Sequence, residues 1–313
     1  MPEGPRLIAI TGSTGLIGTA LSRRLAADGH QVRPVVRRAV RPGESAIAWD
    51  PDAGTIDAAA LDGVDAVVHL AGAGIGDKRW TAERKRVILE SRTRSTALLA
   101  STLAGLEAKP SALISGSAIG YYGNRGDEEL TEASAPGNDF LASICVPWEA
   151  EAQVAAEAGI RTATIRTGIV LSADGGALPK MLPLFKLGLG GPYGSGAQWW
   201  SWITLADEVG AICHLLDHDV HGPVNLTAPG AVVERELAKT LGRVLGRPSL
   251  LPVPRFGPKL VVGGELAEAL LFTSAKVAPT VLEASGYRFA HADIESALRA
   301  VLDRPAALRA DGP

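Results

Sequence analysis

Three glycines lie at three-residue intervals near the N-terminus, between a segment typical of a buried strand and one typical of a helix. The strand pattern covers residues 6–11 (RLIAIT), the glycines are Gly12, Gly15 and Gly18, and the helix pattern covers Leu16–Ala27. A residue without a Cβ permits a tight turn, a close approach of the backbone to a ligand, and close packing of helix on strand. This arrangement predicts a parallel βαβ unit whose first turn binds a phosphate group.

The rest of the first half alternates strand and helix patterns, as parallel βαβ units do. Strand patterns cover residues 31–37, 46–49, 65–70, 111–117 and 161–171, and helix patterns cover 81–106 and 141–158. After about residue 172, Gly and Pro become frequent, and shorter patterns follow at 180–187, 205–216, 224–226, 233–245, 260–272 and 294–302. We therefore expect an α/β fold in which residues 1–172 form a Rossmann-type doubly wound parallel sheet. Segments from later in the chain are expected to return to this domain. Residues 173–313 are expected to form a small, mostly helical C-terminal lobe that is only in part independent.

Composition and charge narrow the classes of function. The 313 residues contain 31 Lys and Arg against 34 Asp and Glu, a net charge of −3. This balance predicts no basic surface for nucleic acid or for an anionic membrane. Cys145 and Cys213 are the two cysteines, which excludes a disulfide framework and leads us to expect a cytoplasmic protein. We expect no signal peptide, and no apolar run approaches the roughly 18 residues of a membrane-spanning helix.

The residues after the second strand pattern indicate which dinucleotide would bind. A site selective for NAD places an Asp or Glu about 20 residues after the glycines, where the carboxylate holds the ribose 2′-hydroxyl. Arg37 and Arg38 occupy this region here, and the next acid is Glu44. Because guanidinium groups match a 2′-phosphate, the sequence favours NADP(H) over NAD(H). A solvated arginine pair on a loop is the alternative interpretation.

Further cofactor contacts are expected where strands end. Ligands of a doubly wound sheet lie beyond the carboxyl ends of its strands. The turn and the end of the strand at 65–70 therefore supply the predicted contacts, which are Gly12, Ser13, Thr14, Gly15, Leu16, Ile17, Gly18, Leu70, Ala71 and Gly72. His69 lies within the apolar strand itself, and we interpret it as a buried structural histidine.

Several segments resemble the short-chain dehydrogenase/reductase superfamily in its extended, epimerase-like form, and in particular its branch of epimerase family proteins. They include TGSTGLIG at 11–18, SGSAIGYYG at 115–123, WWSWITLAD at 199–207 and VNLTAP at 224–229. The resemblance implies a seven-stranded Rossmann sheet, a C-terminal lobe over the cofactor cleft, and NADP(H) binding. It also implies that Arg92 occupies the place of a cofactor-contacting Asn. Thr167, Gly168 and Val170 would line the nicotinamide side.

The catalytic pair of this superfamily, a Tyr followed four residues later by a Lys, is missing. In the superfamily the ammonium group lowers the pKa of the phenol, so that the tyrosine acts as general acid or base. None of the four tyrosines here has a Lys at the fourth following position. Alignment through Glu149 places Leu141 at the Tyr position and Cys145 at the Lys position, and neither side chain can take over that chemistry.

Hydroxyl groups after the strand at 111–117 remain as catalytic candidates. By resemblance, Ser117 matches the active-site serine of the superfamily, and a one-residue offset relative to Tyr122 leaves Ser115 open as the alternative. Tyr122 is a candidate proton donor if a cation lies close to it. The alternatives are structural: a backbone cap for Ser117, and packing or ligand stacking for Tyr122. Cys145 is interpreted as a small apolar residue rather than a reactive thiol.

Two other groups of residues have more than one interpretation. Trp199, Trp200 and Trp202 either wall the substrate cleft or anchor the C-terminal lobe. His214, His218 and His221 have a spacing that suits a metal, but histidines at a helix C-terminus have a simpler explanation in the helix dipole, and we expect no metal site.

The sequence thus predicts an NADP(H)-binding, atypical short-chain oxidoreductase or epimerase-like protein whose substrate is a small metabolite of unknown identity. The alternative is a non-catalytic NADP(H)-binding sensor or partner-binding scaffold, so whether the chain is an enzyme stays open. We expect no nucleic-acid or membrane partner, and either a monomer or a homodimer.

Overall fold

The computed structural model describes residues 4–303, and an eight-stranded sheet forms its centre. The strands are β1 (Leu7–Thr11), β2 (Gln31–Val36), β3 (Ile47–Asp50), β4 (Thr55–Ile56), β5 (Ala66–His69), β6 (Ala112–Ala118), β7 (Glu129–Leu130), β8 (Arg161–Thr167), β9 (Ile169–Leu171), β10 (Trp199–Trp200), β11 (Trp202–Thr204), β12 (Gly222–Leu226), β13 (Val232–Val233) and β14 (Lys276–Val277). The main sheet has the order β12-β8-β6-β5-β1-β2-β3-β4. Its neighbouring strands are parallel except for β3 with β4. The strand order reverses between β1 and β5, which confirms the predicted doubly wound sheet.

Helices cover both faces of this sheet. They are α1 (Leu16–Ala27), α2 (Ala58–Leu61), α3 (Ala82–Gly105), α4 (Phe140–Glu157), α5 (Leu178–Lys186), α6 (Leu205–Asp217), α7 (Glu234–Leu245), α8 (Phe256–Val262), α9 (Gly264–Ala267), α10 (Thr280–Ala284) and α11 (Ile294–Leu302). A 3₁₀ turn covers Ile119–Tyr122 and a π-helical turn covers Glu268–Phe272. The bounds of α1 and α11 are those predicted from helical periodicity.

The alternation of side chains along the strands divides the core into two layers. Ile8 and Ile10 of β1 are fully buried in the layer that contains α1 and α6. Ala9 lies between them in sequence and packs in the opposite layer, with α3. Strands that are buried on both faces read as continuous apolar runs, which is why β1, β5 and β6 could be recognised in the sequence.

The sheet has one strand more than the resemblance implies. The additional strand, β4, has two residues and pairs antiparallel with β3. A two-residue strand produces no alternating pattern, so periodicity could not indicate it.

A second core lies in the C-terminal part of the chain. It contains residues of α5, α7 and α11 packed around Trp200 and Trp202. The chain returns to the main sheet in between, where β12 pairs with β8. Arg79 donates to the carbonyls of Leu260 and Val261, and Lys85 pairs with Glu265, so α8 and α9 are attached to the region where α3 begins. In the part of the chain that the structure describes, no helix is long and apolar enough to cross a membrane.

Two predicted elements are divided in the structure, each at a glycine. The strand pattern at 161–171 ends at Gly168, where a Cβ would lie 2.8 Å from the Ser201 carbonyl oxygen, and β9 then pairs with β11 instead of the main sheet. The helix pattern at 260–272 is interrupted at Gly263, whose φ of +99° strongly favours glycine.

Candidate functional site

In the turn between β1 and α1, two glycines lie so close to neighbouring backbone atoms that a side chain would not fit. Gly12 has a φ of +66°, and a Cβ there would lie 2.9 Å from the carbonyl carbon and oxygen of Leu70. A Cβ on Gly18 would lie 2.2 Å from the Gly12 carbonyl oxygen. No side chain within residues 4–303 caps α1, so the first amides of this helix have neither an intrahelical nor a capping acceptor there. A cradle of free amides at a helix N-terminus fits a phosphate group.

Thr11 holds this turn against the end of β5. Its hydroxyl oxygen accepts hydrogen bonds from the amides of Leu70 (3.0 Å) and Ala71 (3.1 Å) and lies 2.7 Å from Nδ1 of His69. The other ring nitrogen of His69 lies 2.9 Å from the Thr96 hydroxyl. Burial lowers the pKa of His69 to about 4, so the ring is neutral at pH 7. The interpretation of His69 as a structural residue agrees with these contacts.

Arg37 and Arg38 follow β2 directly, next to the strand that leads into the turn. Val35 of β2 is paired with Thr11 of β1, and both arginines are exposed. Arg38 is held by Glu44, which accepts from Nη1 at 2.9 Å and also from Nη2. Arg37 forms no ion pair or side-chain hydrogen bond within residues 4–303. Of the two guanidinium groups, that of Arg37 is therefore free to bind a ligand.

A cavity of about 190 Å³ opens at the carboxyl ends of β6 and β8. Its lining includes the apolar side chains of Ile75, Ile119, Leu141, Ile144, Trp148, Ile169, Trp199, Trp200 and Leu270. Among the described residues, Arg92 and Asp139 are the charged ones that line it. Asp139 caps α4 by accepting from the Ala142 amide at 2.9 Å. The cavity therefore suits a small molecule with an apolar body.

The positions of the missing Tyr and Lys face this cavity. Leu141 and Cys145 lie one turn apart on α4, and both line the wall. Burial raises the pKa of the Cys145 thiol to about 12, and its Sγ lies 3.7 Å from the Ala118 carbonyl oxygen. Neither side chain can exchange a proton at neutral pH. This part of the wall therefore has no general acid.

Ser117 and Tyr122 belong to a hydrogen-bonded network outside the lining of the cavity. The Ser117 hydroxyl donates to Glu149 (2.6 Å), which forms a two-pronged ion pair with Arg166, both distances being 2.8 Å. Tyr122 is fully buried, donates to Oδ1 of Asn225 (2.6 Å) and accepts from Nη1 of Arg166 (3.0 Å). Burial raises the pKa of Tyr122 to about 12. The catalytic roles of the two hydroxyls stay predictions. The alternative Ser115 is fully buried, and its hydroxyl has no partner among the described residues.

The residues predicted on the nicotinamide side are separated in the structure. Gly168 lines the cavity, together with Ile169, which sequence reasoning did not select. The Thr167 hydroxyl donates to Glu208 at 2.7 Å, and Val170 packs against the main core.

The three tryptophans have two different environments. Trp199 and Trp200 line the cavity, whereas Trp202 is fully buried and donates from its indole nitrogen to the Gly230 carbonyl at 2.8 Å. The contacts of Trp202 fit the anchoring interpretation, and the role of Trp199 and Trp200 as the wall of a substrate cleft stays a prediction.

The histidines at the C-terminal end of α6 contact one another and neighbouring polar groups. His214 and His218 stack with ring centroids 3.8 Å apart, and His214 Nε2 lies 2.9 Å from the Ser285 hydroxyl. Over residues 4–303, no group of three or more His, Cys, Asp or Glu side chains is arranged to hold a metal ion.

The family of the chain is shown by comparison with known proteins. A model of the NAD dependent epimerase/dehydratase family matches residues 8–227. The chain belongs to this family. A second family model, of a domain of unknown function (DUF1731), matches residues 253–301. The predicted membership of the epimerase-like branch is confirmed.

Three similar proteins cover nearly the whole chain. The epimerase family protein Mb2239 of Mycobacterium bovis is 41% identical over 300 residues, which are 96% of this chain and 98% of that protein. The crystal structure of human epimerase family protein SDR39U1 (isoform 2) with NADPH has a TM-score of 0.87 and 34% identity, and the match covers 95% of this chain and 99% of the human one. A nucleoside-diphosphate sugar epimerase from Corynebacterium glutamicum has a TM-score of 0.78 and 37% identity, with 96% of this chain and 58% of that chain covered. The fold is thus that of the NAD(P)-binding epimerases.

Proposed function

We propose that this family member is an NADP(H)-dependent oxidoreductase that acts on a small molecule bound in the apolar cavity. The observation that carries the proposal is the glycine turn at the point where the strand order reverses. Arg37, which has no partner among the described residues, follows the adjacent strand. A ligand site at this point is the general rule for doubly wound sheets. The NADPH in the similar human structure supports the choice of nucleotide.

Three groups of residues would hold the cofactor. The backbone of Gly12–Gly18 would donate to the pyrophosphate, and the segment Leu70–Gly72, which Thr11 holds next to the turn, would flank the adenosine side. Arg37 would form charge-assisted hydrogen bonds with the 2′-phosphate, which NAD(H) lacks. The preference for NADP(H) follows from that one phosphate.

The nicotinamide would lie towards Gly168, at the edge of the cavity. When bound, the cofactor supplies or accepts a hydride. Leu141 and Cys145 offer no proton beside it, so we assign the accompanying proton to water. We assign Ser117 and Tyr122 the task of positioning the end of β6 and the 3₁₀ turn that follows, since their hydroxyls are held by Glu149 and Asn225.

One observation favours a second candidate function. The wall formed by Leu141 and Cys145 has lost the general acid of the superfamily while the nucleotide turn is intact. A non-catalytic sensor of the NADPH level would have the same combination.

Turnover separates the two candidates. Purified protein is first titrated with NADPH by fluorescence, and nicotinamide absorbance is then followed with a panel of aldehydes, ketones and quinones. The proposal expects NADPH oxidation with at least one compound, and a lower rate for Arg37→Glu at limiting NADPH. Tight NADPH binding without turnover across the panel would contradict the oxidoreductase and support the sensor.

A further inference from the structure

Arg92 is a buried cation at the wall of the cavity. The residue is 7% exposed, and its guanidinium carbon lies 5.0 Å from the centre of the Trp148 ring. Its Nη1 donates to the carbonyl oxygens of Ala73 (2.9 Å) and Ile88 (3.1 Å). Nε is buried without a hydrogen-bond partner, and Nη2 has none within residues 4–303. Three of the five N–H donors of this side chain therefore have no acceptor among residues 4–303.

Among residues 4–303, no carboxylate forms an ion pair with Arg92. The groups that act on it electrostatically are Cys145, a thiol, and Arg84, a second cation. Burial is the largest of the effects that together bring the pKa of Arg92 down to about 10; Cys145 acts to raise this pKa and Arg84 acts to lower it. The guanidinium is therefore charged at pH 7, but its charge is poorly stabilised. A buried charge without a counter-ion is unfavourable, and an anionic ligand removes that penalty.

The free donors of Arg92 have the geometry of a carboxylate site. Nε and Nη2 lie on the same edge of the planar guanidinium, and such an edge binds a carboxylate through two parallel hydrogen bonds. The other charged residue of the lining, Asp139, already caps α4 and would repel an anion. One arginine alone matches a monoanion better than a phosphate dianion.

We propose that Arg92 binds the carboxylate of a substrate whose remaining part is apolar or aromatic and packs against Trp148, Trp199 and Trp200. This inference rests on the proposed function, since it names the substrate class of the same cavity. The resemblance assigns Arg92 to the cofactor instead, and the experiment below separates the two assignments.

The test uses benzoate, phenylacetate and indole-3-acetate as probes, each compared with its neutral amide. Binding is measured by calorimetry on the full chain, with and without saturating NADPH. The expected result is that at least one carboxylate binds and that its amide binds about tenfold to a hundredfold more weakly, which is the effect of losing a charge-assisted hydrogen bond. Arg92→Gln is expected to lose carboxylate binding by a similar factor and to keep its NADPH affinity.

Two further variants control the experiment. Arg94→Gln alters an exposed cation on the same helix and is expected to bind the probes like the wild type. Arg92→Lys keeps the positive charge but not the guanidinium edge that forms two parallel hydrogen bonds, and is expected to bind the carboxylate with intermediate affinity. If circular dichroism shows that Arg92→Gln does not fold, the inference is still tested by the Lys variant and by the comparison of acid with amide on the wild type.

The inference is overturned if acids and amides bind alike, if no probe binds, or if Arg92→Gln loses NADPH while keeping the carboxylate. Carboxylate binding by a wild-type protein that does not bind NADPH would sustain the inference and refute the proposed function. NADPH binding without any discrimination between acid and amide would overturn the inference alone, because the proposed function is decided by turnover.

Discussion

Replacement of Arg37 by Glu tests the assignment of the nucleotide at a single side chain. Arg37 is exposed and has no partner among the described side chains, so the substitution removes no internal interaction and is expected to leave the fold intact. A hydrogen bond between charged groups contributes about 1.5–3 kcal/mol, and solvent screening places an exposed pair at the lower end of that range. The loss of about 1.5 kcal/mol corresponds to roughly a tenfold increase in Kd, and repulsion between Glu and the 2′-phosphate increases it further.

The assay is a fluorescence titration of the wild type and of Arg37→Glu with NADPH and with NADH at low ionic strength. NADPH is expected to bind at least about tenfold more weakly to the variant, whereas the Kd for NADH stays within about twofold, because NADH carries no 2′-phosphate. Arg38→Gln is the matched control, since Glu44 already holds the Arg38 guanidinium. Equal losses for both coenzymes, or no loss for either, would refute the assignment of Arg37 to the 2′-phosphate.

Three other substitutions test the structure around the site. Gly18→Ala is expected to lower both the NADPH affinity and the melting temperature, because the new Cβ would meet the Gly12 carbonyl at 2.2 Å. Gly105→Ala, in open space, is the control, and equal behaviour of the two variants in calorimetry and thermal melts would contradict the close packing. Tyr122→Phe is expected to lower the free energy of unfolding, measured in urea, by about 1–3 kcal/mol, because it leaves buried groups of Asn225 and Arg166 without their partner. Tyr121→Phe is the control and is expected to lower the free energy of unfolding by less. Equal losses for the two variants would argue against the network. Burial raises the pKa of Glu208 from 4.5 to about 8, so the folded chain holds a proton that the unfolded chain releases, and the free energy of unfolding falls as the pH rises from 4.5 to 8. Glu208→Gln is expected to reduce this fall, measured by urea unfolding at pH 5, 6, 7 and 8, and an unchanged slope would show that Glu208 is not the group responsible.

The parts of the site that lie close together in sequence were predictable. The glycine turn and the Leu16–Ala27 helix depend on contacts within about a dozen residues, so spacing and periodicity were sufficient to locate them. His69 was predictable as a structural residue because it interrupts an otherwise apolar strand. Its hydroxyl partners Thr11 and Thr96 were not, since they come from two other elements.

The parts that depend on distant contacts were not predictable. Ser117 meets Glu149, and Tyr122 meets Asn225 103 positions further along the chain, so no local pattern indicated that these hydroxyls were already engaged. The break in the strand at Gly168 is caused by the approach of the Ser201 backbone, which is likewise a tertiary contact. Asp139, by contrast, had a local signal as an acid two residues before the helix pattern at 141–158, and it directly precedes the observed helix.

The most direct test of the account is calorimetry of the folded full-length chain with NADPH and, separately, with NADH. We expect saturable binding of one NADPH per chain and weaker binding of NADH. The absence of any binding heat with either coenzyme, at several temperatures, or a higher affinity for NADH than for NADPH, would contradict the central claim that the turn and Arg37 together form an NADP(H) site.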